Sequence, residues 1–193
     1  MNLIETLNLA YNILKTNKIE SYKIDAEILL CDILKTPKEK LFLNLDQKIT
    51  RAEFQNFIYL INRRKIKEPI AYLLKKKEFW KNDFYVNKNV LIPRPETEYI
   101  VEASLEIINK KQRKRILEIG IGSGCVLTSI LKERKYCVGV GIDCSKKALN
   151  VAKFNANLHN IKNRIKIIKS DVDNFSSSKY DLVISNPPYI DKH

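Results

Sequence analysis

The chain has 193 residues, 45% of them hydrophobic, which is enough to bury a core and excludes a globally disordered protein. Its longest apolar runs, such as that around Ile28 and Leu30, are too short to cross a bilayer, and the opening Met1-Asn2-Leu3-Ile4-Glu5 lacks the order of a secretion signal, so a cytoplasmic location without membrane attachment is expected. Net charge is +13, yet the lysines are dispersed and runs such as Lys75-Lys76-Lys77 lack interleaved aromatics, which leaves nucleic acid a possible but not a required partner.

Taken in chain order, the first part reads as helices. Leu3, Leu7, Ala10, Tyr11 and Leu14 recur at helical spacing. A second helix is expected to carry Ile24, Ile28, Leu29, Cys31 and Leu34, ending before Pro37. Thr50 and Glu53 form a capping-box signature ahead of Phe54, Phe57, Ile58 and Ile61, and Arg63-Arg64-Lys65 suits a helix C-terminus. Residues 1–75 are therefore expected to form a small helical bundle without a catalytic constellation, which binds a partner or packs.

Residues 76–95 read as a hairpin and a stiff connection. Glu78-Phe79-Trp80 and Phe84-Tyr85-Val86 flank a polar break at Lys81-Asn82-Asp83. Leu91-Ile92-Pro93-Arg94-Pro95-Glu96-Thr97-Glu98 follows, with a domain boundary expected near residues 86–95. Two prolines restrict this stretch, and Pro95 is placed to start a helix whose first turn holds Glu96 and Glu98.

Strand and helix patterns then alternate. Strands are expected at 115–119, 136–142, 164–169 and 180–185, with helices at 125–134 and 146–159. Strands separated by such helices pair in parallel through right-handed crossovers, so residues 96–193 imply an α/β domain with a doubly wound, mainly parallel sheet. Cys31, Cys125, Cys137 and Cys144 form no C-x-x-C pair and have no His at ligand spacing, so reduced thiols and no metal site are expected.

Three features fall at the carboxyl ends of consecutive strands, where open α/β sheets bind ligands. The first is the turn Gly120-Ile121-Gly122-Ser123-Gly124, whose alternate glycines let the backbone approach a ligand at a helix N-terminus. Asp143 ends the second strand and can accept from both hydroxyls of a ribose, while Ser145 is equally placed to cap the next helix. After the third strand, Asp171 offers an acceptor and Val172 an apolar wall for a purine. A nucleoside cofactor is the expectation.

The fourth strand runs into Ser185-Asn186-Pro187-Pro188-Tyr189. Asn186 precedes a proline and is pushed extended, and Pro188 has no N–H to offer. The Asn186 side-chain oxygen and the Pro187 carbonyl are then two fixed acceptors. They suit a planar –NH2 whose lone pair is delocalised. Holding both N–H groups would aim that lone pair at a methyl donor and favour pyramidal nitrogen as charge develops. Tyr189 offers a flat face for such a group. No dedicated base is visible, and His159 and His193 are expected at the surface.

These residues resemble the peptide chain release factor N5-glutamine methyltransferases, the PrmC/HemK family. The likeness runs from the N-terminal helices through residues 91–98, 120–124, Asp143 and 185–190. The Asn-Pro-Pro-Tyr stretch alone is shared with adenine-N6 methyltransferases, whereas the Ile92–Glu98 segment is far more specific. The resemblance implies a Rossmann-like class I methyltransferase domain, S-adenosyl-L-methionine as cofactor, and methylation of the Gly-Gly-Gln glutamine of class 1 release factors, with residues 1–75 as a substrate-recognition domain. It implies that Gly120, Ile121, Gly122, Ser123 and Gly124 contact the methionine part, that Asp143 holds the ribose, that Asp171 and Val172 flank the adenine, and that Asn186, Pro187, Pro188 and Tyr189 hold the glutamine next to the cofactor. Val172 and Ile121 depart from the aromatic and threonine common in relatives. The sheet of this class has seven strands and only the first four are read here, so an incomplete domain with an exposed fourth strand is expected. The alternatives are an adenine-N6 DNA or RNA methyltransferase, the N-terminal part of a bifunctional protein and tRNA methyltransferase, and an inactive fragment.

Overall fold

The computed structural model describes residues 1–175 and 179–187. The chain divides into two compact units, Met1–Leu74 and Lys75–His193.

The first unit is a helical bundle of α1 (Leu3–Thr16), α2 (Tyr22–Leu34), α3 (Lys38–Leu43), α4 (Arg51–Lys65) and α5 (Ile70–Leu74). Capping boxes start α1, where Asn2 and Glu5 bond reciprocally at 2.9 Å, and α4, where Glu53 N donates to Thr50 Oγ1 at 3.2 Å. Leu3, Leu7, Ala10 and Leu14 of α1 meet Leu29, Leu30, Phe57 and Ile61 in one core.

Helix α2 departs from expectation. Ile24 is 57% exposed and Ile28 38%, while Asp25 and Glu27 are buried beside Ala26, Leu29 and Leu30. Apolar residues occupy nearly the whole circumference of this helix, so spacing cannot select its inner face. Two acidic partners select it instead. Arg64 Nε meets Asp25 Oδ2 at 2.7 Å, and Glu27 takes Tyr11 Oη at 3.0 Å and Lys38 Nζ at 2.7 Å. A buried charge is tolerated only when so paired.

In the second unit, β1 (Lys76–Phe79) and β2 (Asn82–Tyr85) form the hairpin. The chain reverses one residue earlier than polarity suggests, at Trp80 and Lys81, with φ of 45° and 63°. The turn is held from outside, since Trp80 N donates to Glu98 Oε1 at 2.8 Å. Phe79 and Phe84 are fully buried in the same core as Ile116, Leu127 and Leu149. His159, expected at the surface, is half-buried with its ring 4.5 Å from Phe84, because the end of its helix packs on the hairpin.

After Pro95 comes α6 (Glu98–Ile107), then β3 (Arg115–Ile119), α7 (Cys125–Glu133), β4 (Val138–Asp143), α8 (Lys146–Leu158), β5 (Ile165–Lys169) and β6 (Leu182–Ser185). The sheet order is β5-β4-β3-β6 and every pairing is parallel. Leu117 of β3 lies between Val140 and Val183. The chain therefore winds outward from β3 on one side and crosses back to place β6 on the other. That crossing is the switch point at which the strand ends diverge and a crevice opens. Strand β6 forms one edge of the described sheet, and its Val183 is 54% exposed. Among the described residues no helix is long and apolar enough to cross a membrane.

Candidate active site

The glycine turn follows β3 directly. Gly120, Gly122 and Gly124 have φ of 71°, 52° and 75°, a region that side chains strain to enter. Gly124 is the cap residue of α7, so no serine or threonine can serve there. The missing cap comes from the strand: Glu118 Oε2 accepts from Leu127 N, in the first turn of α7, at 3.1 Å.

Further bonds close the loop. Gly122 N donates to Asp143 Oδ2 at 3.0 Å, and Asp143 Oδ1 accepts from Ser145 N at 2.8 Å. Ser145 caps α8 by accepting from Ala148 N at 3.2 Å, which leaves Asp143 to the loop and whatever lies above it. Fully buried Asn155 of α8 donates to Ser123 O at 2.8 Å while exchanging bonds with Tyr85 N and O at 2.8 and 2.9 Å. The Ile121 side chain turns into the core over Gly141, where an added Cβ would meet Ile121 Cδ1 at 2.1 Å. A ligand at Ile121 would meet its backbone.

Glu118 is wholly enclosed, and burial, with a smaller push from Asp143, raises its carboxyl to about 8. Spacing alone did not mark it, nor Asn155 or Thr97. Glu118 had a signal in standing two residues before the glycine turn. Asn155 had none, because its partners lie 32 and 70 positions away.

On the other side of β3, Asn186 follows β6 and its Nδ2 donates to Thr97 Oγ1 at 3.1 Å. A cavity of about 400 Å³ is lined by Leu91, Arg94, Glu96, Thr97, Asn186 and Pro187. A smaller one of about 60 Å³ runs from Pro93, Arg94, Thr97 and Asn186 to Glu118, Gly120, Ile121, Gly122 and Ser123. Leu91, Arg94, Thr97 and Asn186 line both. The glycine turn, the proline-flanked segment and the Asn-Pro loop thus share one depression. Asp171 and Val172 follow β5 as expected but are exposed and line neither cavity. Pro188 and Tyr189 lie outside the described residues. Among the described residues no cluster of side chains could hold a metal.

Such an arrangement can seat a nucleoside against the glycine turn and a planar polar group against Asn186. Three glycines within residues 120–124, a carboxylate at the end of β4 and a buried carboxyl lining the cavity fit a cofactor with ribose hydroxyls and a cationic group.

Several known proteins are similar to this chain. Residues 5–74 match the family described as PrmC N-terminal domain, and residues 101–193 the family described as methyltransferase small domain. A release factor glutamine methyltransferase of Clostridium acetobutylicum is 38% identical over 193 aligned residues, covering 98% of this chain and 68% of the relative. A bifunctional methyltransferase of Rickettsia typhi is 37% identical over 205 residues, covering 96% of this chain but 40% of the relative. A methyltransferase of Thiobacillus denitrificans solved with S-adenosyl-L-homocysteine is 28% identical, covers 48% of this chain and 36% of its own, and superposes with a TM-score of 0.40. The chain thus spans well under half the length of the bifunctional relative and about two thirds of the Clostridium one.

Proposed function

Because the chain belongs to the release factor glutamine methyltransferase family, we propose that it methylates the side-chain amide nitrogen of the glutamine in the Gly-Gly-Gln motif of class 1 release factors, in the cytoplasm, with S-adenosyl-L-methionine as donor. One observation carries the reading: Asn186 lies in a cavity continuous with the glycine turn, 3.1 Å from a buried threonine that orients its amide.

The cofactor supplies an electrophilic methyl group on a sulfonium. Gly120, Ile121, Gly122, Ser123 and Gly124 would hold its amino-acid part through their backbone, and Glu118, which lines the same cavity, would be the carboxyl available to its ammonium. An ammonium there would favour the ionised carboxylate that burial otherwise suppresses. Asp143 accepts from the ribose with lone pairs its bonds to Gly122 and Ser145 leave free. Asp171 and Val172 border the adenine.

Asn186 Oδ1 and the Pro187 carbonyl accept the two N–H groups of the glutamine amide. They orient the nitrogen and stabilise the positive charge that grows on it. Bound there, the cofactor would supply its methyl group to the nitrogen these acceptors hold, and the methylated amide would release one proton to water. The helical unit holds the release factor.

The competing reading is adenine-N6 methylation of nucleic acid, since an adenine amino group is also planar and conjugated. Labelled methyl transfer, offered to release factor, ribosomal RNA and DNA side by side, separates the two. Label is expected in the release factor, and label in nucleic acid alone would overturn the assignment.

A further inference from the structure

We infer that Thr97 is a positioning residue for methyl transfer, because its hydroxyl accepts from Asn186 Nδ2 and so turns Asn186 Oδ1 toward the substrate amino group. The inference rests on the reading of Asn186 as the acceptor that holds the substrate nitrogen.

Thr97 directly precedes α6, a position where threonine usually accepts from a backbone N–H of the first helical turn. Here it makes no such bond. Its oxygen goes instead to a side chain 89 positions away, at 3.1 Å. The helix start is served by Pro95, which lacks an N–H to satisfy, and by the carboxylate of Glu98. Thr97 is thereby released from its local role.

Burial gives the bond its value. Thr97 is 8% exposed, whereas Arg94, Pro95 and Glu96 beside it are exposed, so water competes poorly for its hydroxyl. Thr97 and Asn186 also line both cavities together.

An asparagine amide has two nearly isosteric faces, one accepting and one donating. With Nδ2 committed to Thr97, Oδ1 is the atom left to meet a substrate N–H. Turned the other way, the amide would present an amino group to an amino group, and the acceptor pair would lose a member. Losing one neutral hydrogen bond permits about a tenfold redistribution between those orientations. The segment before α6 and the Asn-Pro loop after β6 therefore act as a single device.

The test compares Thr97→Val, Thr97→Ser and Asn186→Ala in the intact protein, by steady-state methylation of a release factor and by calorimetry with S-adenosyl-L-methionine. Thr97→Val keeps the shape without the hydroxyl, and kcat should fall about tenfold while cofactor affinity stays within twofold. Thr97→Ser keeps the acceptor and should restore kcat to within about threefold of the parent. In an Asn186→Ala background the valine substitution should cost nothing further. Should the valine variant not fold, Thr97→Ala removes the same hydroxyl and should again lower kcat about tenfold with cofactor affinity within twofold, parental kcat overturning the role. Parental kcat in Thr97→Val, or a serine variant as slow as valine, overturns the role of Thr97. Parental turnover in Asn186→Ala sinks the acceptor assignment itself, so the two failures are told apart.

Discussion

The two ends of the β3 crevice are built on opposite plans. On the proposed cofactor side, residues 120–124 are tied at four points, to Ile142 O, to Asp143, to Asn155 and within the loop itself, where Gly124 N meets Ile121 O at 2.7 Å. On the acceptor side, Asn186 is held through its side chain by Thr97. A loop so over-determined keeps its shape when one tie is lost, whereas the Asn186 amide depends on the one side-chain bond it makes among the described residues. A nucleoside site benefits from redundancy because it must exist before anything binds. The acceptor side has to admit a substrate, and a short tether restricts it less.

That contrast can be broken most forcefully at Asn186. Replacing it with alanine should lower turnover about 10²-fold with little change in cofactor affinity, as loss of a preorganised transition-state partner does. Rate and calorimetry together check it, and a joint loss of rate and affinity would merge the two ends into one.

Gly141→Ala attacks the cofactor side from beneath. Its new Cβ would strike Ile121, so denaturant unfolding should register a loss of about 1–3 kcal/mol, with weakened cofactor binding as the loop lifts. Removing one tie above the loop should do less. Asp143→Ala is expected to weaken cofactor binding about tenfold, of the order of one lost charge-assisted bond. Equal affinity in calorimetry would defeat the ribose assignment.

Glu118→Gln should have a pH-dependent effect. The Glu118 pKa is raised in the fold to about 8 from 4.5, so the folded state holds a proton that the unfolded state releases. Stability from this group is unaffected below the unfolded value, declines as pH rises through the window from 4.5 to about 8, and levels off above it. Glutamine keeps an acceptor for Leu127 N without the titration. The variant without cofactor should gain stability relative to the parent across that window, and parallel melting curves would contradict the buried carboxyl.

Local signals were readable wherever a residue and its immediate neighbours set the outcome. Thr50 and Glu53 cap α4 because both partners lie in one turn. The strand at 115–119 and the glycine turn behind it were legible for the same reason: a short, largely apolar run and positive φ are properties of a few adjacent residues. The hairpin turn at Trp80 and Lys81 was missed because neither residue type favours positive φ, and the conformation is imposed from Glu98. The inner face of α2 was missed because Arg64, Tyr11 and Lys38 choose it from other helices.

The amino-acid sequence by itself determined the helical first part, the parallel α/β second part and the glycine turn at 120–124, since each follows from period, caps and backbone freedom over short spans. Tertiary structure alone decided that Thr97 serves Asn186 instead of its own helix, that Asn155 ties the hairpin to the glycine turn, and that Glu118 caps α7 from within the core. Those pairings join residues up to 89 positions apart. No local preference encodes them, because a side-chain hydrogen bond forms wherever the packed backbone brings a donor to an acceptor and excludes the water that would otherwise satisfy both.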